Sequence, residues 1–202
     1  MSVATQFAIG VAITQLIAGA AAPVTGAVVF DASTPEGVRY VPGVPPSGAL
    51  AWAIYDEAAV NQTGWSSLDL HANATIQNDT LTSYAAGYLE GSMTWRLIAY
   101  YVDNIGATAK NSNALQKFLD RNWAWMAEQV AGYGDSDPYW AHVGVLLAQL
   151  KGIADGQLSA GGTLTLFEIY NAISEFHHSL DALLKRIVMA LLVFYRINSS
   201  RW

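Results

Sequence analysis

The chain has 202 residues, of which 52% are hydrophobic and only 13% are charged, and its formal net charge is −6. This length favours one domain with a sizeable core, and the charged fraction is about half the average for soluble proteins. The acidic balance excludes a nucleic-acid partner, because phosphate groups require a basic surface. A surface with so few charges needs another cover, and glycans, a partner chain or both would provide it.

The N-terminus is apolar: no charged residue precedes Asp31, and small residues end the apolar stretch at Ala20 and Ala22. This pattern predicts a secretory signal peptide over residues 1–20, because Pro23 would follow a cut at the alternative site. The stretch lacks the Lys or Arg that usually opens such a signal, so a short apolar anchor or a buried helix is the alternative. A signal peptide would send the chain into the secretory pathway, for lysosomal or extracellular delivery.

The next part of the chain predicts strands. Residues 21–48 are rich in Pro, Gly and small side chains and contain two β-like runs, at 27–30 and 37–41. We expect an extended leader with short strands there. Residues 49–56 are a strand candidate, and residues 65–71 are a second one with Leu68 and Leu70 on one face. Turn residues at 61–64 separate them, which predicts an antiparallel hairpin.

A helical period begins near Thr82 and predicts four helices before residue 176. Their expected N-terminal caps are Thr82 or Ser83, Ser112, Asp135 or Asp137, and Thr163 or Thr165. Gly87 and Gly91 lie four residues apart in the first helix, where glycine lowers helix stability. We therefore expect both to permit close packing against another backbone. Gly156 and the pair Gly161–Gly162 are expected to end the third helix.

The composition changes at His177. Four of the ten Lys and Arg residues lie at Lys185 or later, and the nine apolar residues at 187–195 are too few to cross a bilayer. We interpret 49–176 as the body of the domain. We interpret 177–202 as a divergent helical tail of different origin.

Four Asn-x-Ser/Thr triplets without proline at the middle position are candidate N-glycosylation sites. Their asparagines are Asn61, Asn73, Asn78 and Asn198. Three of the triplets lie within 20 residues around the predicted hairpin. This clustering favours glycans at two or more of the three over the alternative, unmodified polar turn residues.

No complete catalytic or metal-binding set is present in the sequence. The chain has no cysteine, so it has no disulfide, no thiol nucleophile and no cysteine-based metal site. Its four histidines lack metal-ligand spacing with a third ligand, and no Gly-x-Ser-x-Gly elbow or phosphate-binding glycine loop occurs. Adjacent acids such as Asp56 and Glu57 have no second carboxylate in a plausible cleft. We therefore assign no catalytic residue, no metal and no cofactor.

Aromatic residues are numerous, with seven Trp and ten Tyr. Core and interface packing is the favoured interpretation, because these rings bury large areas. An apolar groove for an acyl chain or a sugar is the alternative. The aromatic residues on predicted helices are Trp95, Tyr100, Tyr101, Trp123, Trp125, Tyr139 and Trp140.

Two groups of residues carry a resemblance to a known family. The first is Asn61-x-Thr63-Gly64-Trp65 with Leu68, followed by the YAAGYLEG run at 84–91. The second is Pro138-Tyr139-Trp140 with Val143 and the QLxGIxxG run at 149–156. Over residues 49–176 the chain resembles the phospholipase B-like family, and the YAAGYLEG run is fairly specific to it.

The resemblance implies an α+β fold that is part of a four-layer αββα N-terminal-nucleophile hydrolase, with an antiparallel hairpin followed by a helical layer. It also implies a precursor that cleaves itself and exposes a cysteine at the start of a second, larger chain. The thiol of that cysteine would be the nucleophile and its α-amine the base. The reaction would be hydrolysis of acyl ester or amide bonds, as in lipid degradation. No catalytic residue of the family can be carried onto this chain.

The family pattern is lost after residue 176. The chain is therefore expected to be the N-terminal half of a larger enzyme, or a truncated product whose tail arises from altered splicing or a frame change. In both cases we expect it to be inactive alone, not to span a membrane, and to need the C-terminal catalytic chain of the same precursor as its partner. The alternatives are a non-catalytic secreted glycoprotein that binds a lipid or glycan, and an inactive fragment.

Overall fold

A computed structural model describes residues 22–105 and 113–175. Within them a four-stranded antiparallel sheet precedes a set of helices, which confirms the predicted α+β class. The predicted signal peptide, the cap at Ser112 and the predicted tail lie outside the described residues. The four-layer arrangement stays a prediction. The elements in chain order are β1 (Val24–Phe30), β2 (Val38–Pro42), β3 (Ala51–Asp56), α1 (Val60–Thr63), β4 (Ser67–Ala72), α2 (Asp79–Ile105), α3 (Asn113–Tyr133), α4 (Pro138–Ser159) and α5 (Leu166–Glu175).

The strands lie in the order β2-β1-β3-β4, and every neighbouring pair is antiparallel. The predicted hairpin is β3–β4, with Ala51 opposite Ala72. The two short strands expected in the leader are β1 and β2, and Val28 of β1 also lies opposite Ala51. The leader strands therefore belong to the same sheet as the hairpin, and β1 is a central strand.

One face of the sheet packs against α2; we call it the inner face. Alternation along the strands places Val28, Ala53 and Leu70 on this face. They contact Ala86 and Leu89 of α2 in a single buried cluster. Leu89 is fully buried, and burial of such a side chain contributes about 1.5–3 kcal/mol to stability.

The other side of α2 lies against α4, and the two backbones touch. A Cβ on Gly87 would lie 2.9 Å from the carbonyl carbon of Gln149, and one on Gly156 would lie 2.8 Å from that of Tyr88. Real Cβ atoms essentially never come closer than 3.0 Å. The expectation that Gly87 and Gly91 serve close packing is confirmed. Their counterparts on α4 are Gly152 and Gly156.

A polar cluster also joins these two helices. The Tyr84 hydroxyl donates to Oδ2 of Asp155 at 2.6 Å, and Nζ of Lys151 lies 2.5 Å from the same oxygen. Burial and the hydrogen bond to Asp155 raise the pKa of Tyr84 well above its usual range. The phenol therefore stays protonated and keeps donating across the interface.

Local hydrogen bonds decide where the helices begin. α2 begins at Asp79 and not after Thr82 or Ser83, because Oδ1 of Asn78 accepts from the backbone N–H of Leu81 at 2.9 Å. The expected cap of α4 is confirmed as Asp137, which accepts from the N–H of Tyr139 at 2.9 Å.

The expected cap of α5 is confirmed as Thr165. Its hydroxyl accepts from the N–H of Glu168, whose carboxylate accepts from the N–H of Thr165 in a reciprocal capping box. Gly156 does not end α4, which continues to Ser159 before Gly161 adopts a φ of 98°.

The α4–α5 connection is held by a buried glutamine. Nε2 of Gln157 donates to the carbonyls of Ala154 and Leu164, and its Oε1 accepts from the N–H of Leu164. Gln157 is only 1% exposed, so these bonds satisfy a polar group that would otherwise destabilise the core. Ala154 and Leu164 belong to a second buried cluster, whose other members are Val102, Ile153, Ile169 and Ala172.

We expect Gly152→Ala to lower the free energy of unfolding by about 1–3 kcal/mol, because the new methyl would lie 2.8 Å from the backbone nitrogen of Tyr88. Gly132→Ala is the matched control, since no atom lies within 4 Å of its added Cβ and alanine favours helix over glycine. Urea denaturation of the full chain measures both. Equal effects at the two positions would contradict the close backbone contact.

A second prediction concerns alkaline pH. The folded chain keeps the Tyr84 proton at pH values where the unfolded chain, with the usual tyrosine pKa of about 10, has lost it. The free energy of unfolding therefore falls as the pH rises above about 10, and Tyr84→Phe should make this fall shallower. Tyr139→Phe, which alters a phenol that is 55% exposed, is the matched control, and an equal change of slope in both variants would contradict the role of the buried bond to Asp155. Denaturation at a series of pH values measures it.

Candidate interaction surface

The sheet face opposite α2, which we call the outer face, carries an apolar row across all four strands. Val41, Ala27, Trp52 and His71 lie directly opposite one another in register. Ala27 is fully buried, Trp52 and His71 are half-buried, and Ile54 in the next row is 38% exposed. The helices of the described residues pack through α2 on the inner face, so the outer face is open to a further layer.

An aromatic stack marks the β4 side of the outer face. The rings of Trp52 and His71 lie 4.0 Å apart at an interplanar angle of 12°. Nε2 of His71 lies 3.2 Å from Oδ1 of Asp69, so a protonated His71 would form an ion pair there. The stacked rings of Trp52 and His71 therefore form an aromatic surface with the carboxylate of Asp69 at its edge.

A recess of about 420 Å³ opens beside this stack. Its walls come from the loop before β3 and from the segment that follows β4. Asn73 forms part of the wall, so one predicted glycosylation site lies next to the outer face. The lining residues are Pro45, Pro46, Ser47, Gly48, Ala49, Trp52, His71, Ala72, Asn73 and Ala74.

The helical side exposes a second aromatic group. Trp140 packs edge-on against both Trp125, at 5.5 Å between centroids, and Tyr139, at 5.0 Å. Trp125 is 51% exposed and Tyr139 is 55% exposed, so these rings are available to a partner. Several of the aromatic residues expected to serve core and interface packing thus lie at the surface of the described chain.

A separate recess of about 300 Å³ lies between α3 and α5. Trp123 and Tyr170 meet there edge-on at 5.7 Å, and Nδ2 of Asn122 donates to the Tyr170 hydroxyl at 2.7 Å. Burial raises the pKa of Tyr170. Trp123, one of the aromatic residues behind the alternative interpretation of an apolar groove, lines this recess, and a ligand there stays a prediction.

The three predicted glycosylation sites within the described residues lie in different local environments. Asn61 lies in α1 at the β3–β4 turn and is exposed, Asn73 is half-buried just after β4, and Asn78 is exposed at the start of α2. Asn198 lies outside the described residues. The triplets alone gave no signal that distinguishes these environments.

The part of the chain that the structure describes contains no group of three His, Cys, Asp or Glu residues placed to hold a metal ion. Nδ1 of His142 lies 2.7 Å from the carbonyl of Pro138 on its own helix, far in sequence from His71. No described helix is both long and apolar enough to cross a bilayer. The row of outer-face residues escaped sequence reasoning because it depends on the register between strands.

The sequence matches the Phospholipase B family over residues 51–176. Phospholipase B-like protein E of Dictyostelium discoideum is 30% identical over 142 residues, which are 65% of this chain and 25% of that protein. Putative phospholipase B-like 2 of Mus musculus is 35% identical over 143 residues, 65% of this chain and 23% of that protein. Phospholipase-B 81 of Drysdalia coronoides is 31% identical over 146 residues, 66% of this chain and 26% of that protein.

The chain spans about a quarter of the length of these curated relatives. The matched segment contains β3, β4 and every helix of the described residues, and therefore both the hairpin and the glycine contact between α2 and α4. Because the family match covers well over half of the sequence, this chain belongs to the phospholipase B family.

Proposed function

We propose that this chain is the N-terminal portion of a secreted or lysosomal phospholipase B-like hydrolase that acts on acyl ester or amide bonds. Family membership supports a hydrolase. The chain has no cysteine, so a cysteine nucleophile would have to come from elsewhere in the precursor. The role of this portion is then to supply a sheet and a helical layer to the complete enzyme.

The open outer face is the observation that carries this proposal. A sheet with one face in water normally alternates apolar and polar residues, with the polar set outward. Here the outward row runs from Val41 through Ala27 and Trp52, all apolar, to His71 on β4. Charged side chains lie at its margins, where Arg39 and Asp69 are more than half exposed. Such a face fits burial under a second sheet, which packs at about 10 Å.

A second candidate function is favoured by the recess between α3 and α5. A non-catalytic secreted glycoprotein could hold an acyl chain or a sugar against Trp123 and Tyr170, because aromatic faces bind both. An inactive fragment is the third possibility. It agrees with the apolar side chains left exposed, such as Trp65 at 78%.

Sequencing of complete transcripts across the codons of Phe176 and His177 separates these candidates. The hydrolase proposal expects reads that continue in the family pattern into a second half that begins with a cysteine. If every read encodes the tail at 177–202 and stops at Trp202, the catalytic proposal fails for this gene product. Ligand binding by the isolated monomeric chain would then favour the glycoprotein, and aggregation would favour the fragment.

We expect Ile54→Asp to reduce recovery of the C-terminal chain with the N-terminal portion at least about tenfold in the complete precursor, because it would bury an unpaired charge under the second layer. Leu158→Asp is the matched control. Leu158 is 49% exposed on α4, away from the outer face, and the same charge there should leave recovery unchanged. Co-purification of the two chains measures this, and equal recovery of both variants would refute coverage of the outer face.

The chain alone is expected to release no fatty acid from phosphatidylcholine and to cleave no N-acyl amide, whereas the complete precursor after self-cleavage should cleave at least one of them. Free fatty acid released over time measures both reactions. Hydrolysis by the isolated chain would contradict the location of the nucleophile on the second chain.

A further inference from the structure

The side-chain amide of Asn73 is fixed in one orientation by its neighbours. Its Oδ1 accepts from the backbone N–H of Thr75 at 3.0 Å and from the Thr75 hydroxyl at 2.7 Å. Its Nδ2 donates to the carbonyl of Ala49 at 2.8 Å. A backbone N–H can only donate and a carbonyl can only accept, so the reversed amide would lose both bonds. The nitrogen must therefore face Ala49.

Through these hydrogen bonds Asn73, just after the end of β4, holds the chain just before β3 in place, and we call the bond from its side chain to Ala49 the Asn73 tie. Its backbone N–H donates to the carbonyl of Leu50 at 2.9 Å, next to the bond that its side chain makes to Ala49. Ala49 and Leu50 are 6% and 4% exposed. A buried carbonyl that loses its partner carries a desolvation penalty, so the hairpin end depends on this nitrogen.

Asn73 also lines the recess that Trp52, His71 and Ala49 border. A sugar on this nitrogen would occupy that recess at the border of the outer face. If the outer face is covered as proposed above, a sugar in this recess and the covering layer would compete for the same space.

Asn78 has the opposite geometry. Its Oδ1 caps α2 by accepting from Leu81, which directs the nitrogen away from the helix end, and the residue is exposed. Asn61 is exposed in α1. The amide nitrogens of Asn61 and Asn78 donate no hydrogen bond to the described residues, so a sugar attached to either nitrogen displaces no contact there, and Oδ1 of Asn78 can still cap α2.

We propose that Asn61 and Asn78 are the glycan acceptors of the described segment and that Asn73 is a structural asparagine that folded molecules leave unmodified. The donor class is a lipid-linked oligosaccharide diphosphate. A bond forms between Nδ2 and the sugar C1, the bond from C1 to the diphosphate oxygen breaks, one amide proton is released, and the lipid diphosphate leaves. Chains modified at Asn73 during synthesis fold less efficiently, because the added sugar crowds the tie to Ala49.

The proposal rests on the proposed secretory route but not on hydrolysis, and its test keeps the two apart. The full chain is expressed in cultured animal cells behind an added secretion signal, which removes any dependence on residues 1–20. Glycopeptides of the folded, monomeric fraction are then quantified by mass spectrometry. We expect high occupancy at Asn61 and Asn78 and at least about tenfold lower occupancy at Asn73. High occupancy at Asn73, or none at Asn61 and Asn78, overturns the proposal.

Two variants test the structural role of Asn73 separately. Asn73→Gln moves the amide nitrogen away from Ala49 and should lower Tm by about 2–4 °C, the shift expected when one hydrogen bond is lost in a chain of this size. Thr75→Ala also removes the glycosylation triplet but keeps the bond to Ala49, and its Tm should fall less. Asn61→Gln is the control at an exposed site and should not change Tm. Equal Tm values for Asn73→Gln and Asn61→Gln would contradict the tie.

Discussion

The contact between the backbones of α2 and α4 is the constraint on which the rest of the structure depends. α2 has two occupied sides: Ala86 and Leu89 meet the sheet, while Gly87 and Gly91 meet α4. Because no side chain separates the two helices, α4 lies close enough for Ile153 to join Val102 of α2 in the second cluster. The sheet and the helices thus form two cores that share one helix. Any side chain added at the glycines would move α4, and with it the cluster that includes α5.

The sequence predicted the positions of the strands and helices better than the contacts between them. The spacing of Gly87 and Gly91 indicated a close backbone approach, since glycine in a helix needs such a reason, but nothing local identified Gly152 as a counterpart. Gly156 was wrongly expected to end α4, because a glycine that stops a helix and one that permits close packing look alike in sequence. Asn78 displaced Thr82 and Ser83 as the cap of α2 because a side-chain hydrogen bond depends on geometry and not on residue type alone.

The candidate interaction surface shows the same difference between local patterns, which the sequence reveals, and contacts between distant residues, which it does not. Alternation placed strands at the right positions, yet the row of Val41, Ala27, Trp52 and His71 exists only because four strands pair in a particular register. The glycosylation triplets were visible in sequence, but the bond from Asn73 to Ala49 joins residues 24 positions apart. Family membership supplies the hydrolase class, while the open outer face supplies the physical reason to expect a covering layer.

The order of the strands leaves β2 and β4 as the two edges of the described sheet. β2 ends in Pro42, which lacks an N–H and discourages further pairing. β4, with the sequence SLDLHA, has no proline, so its free N–H and C=O groups are a template on which another extended chain could assemble. Asn61 precedes β4 by six residues and Asn78 follows it by six. Bulky, hydrated sugars on these two residues would sterically hinder such pairing at the β4 edge.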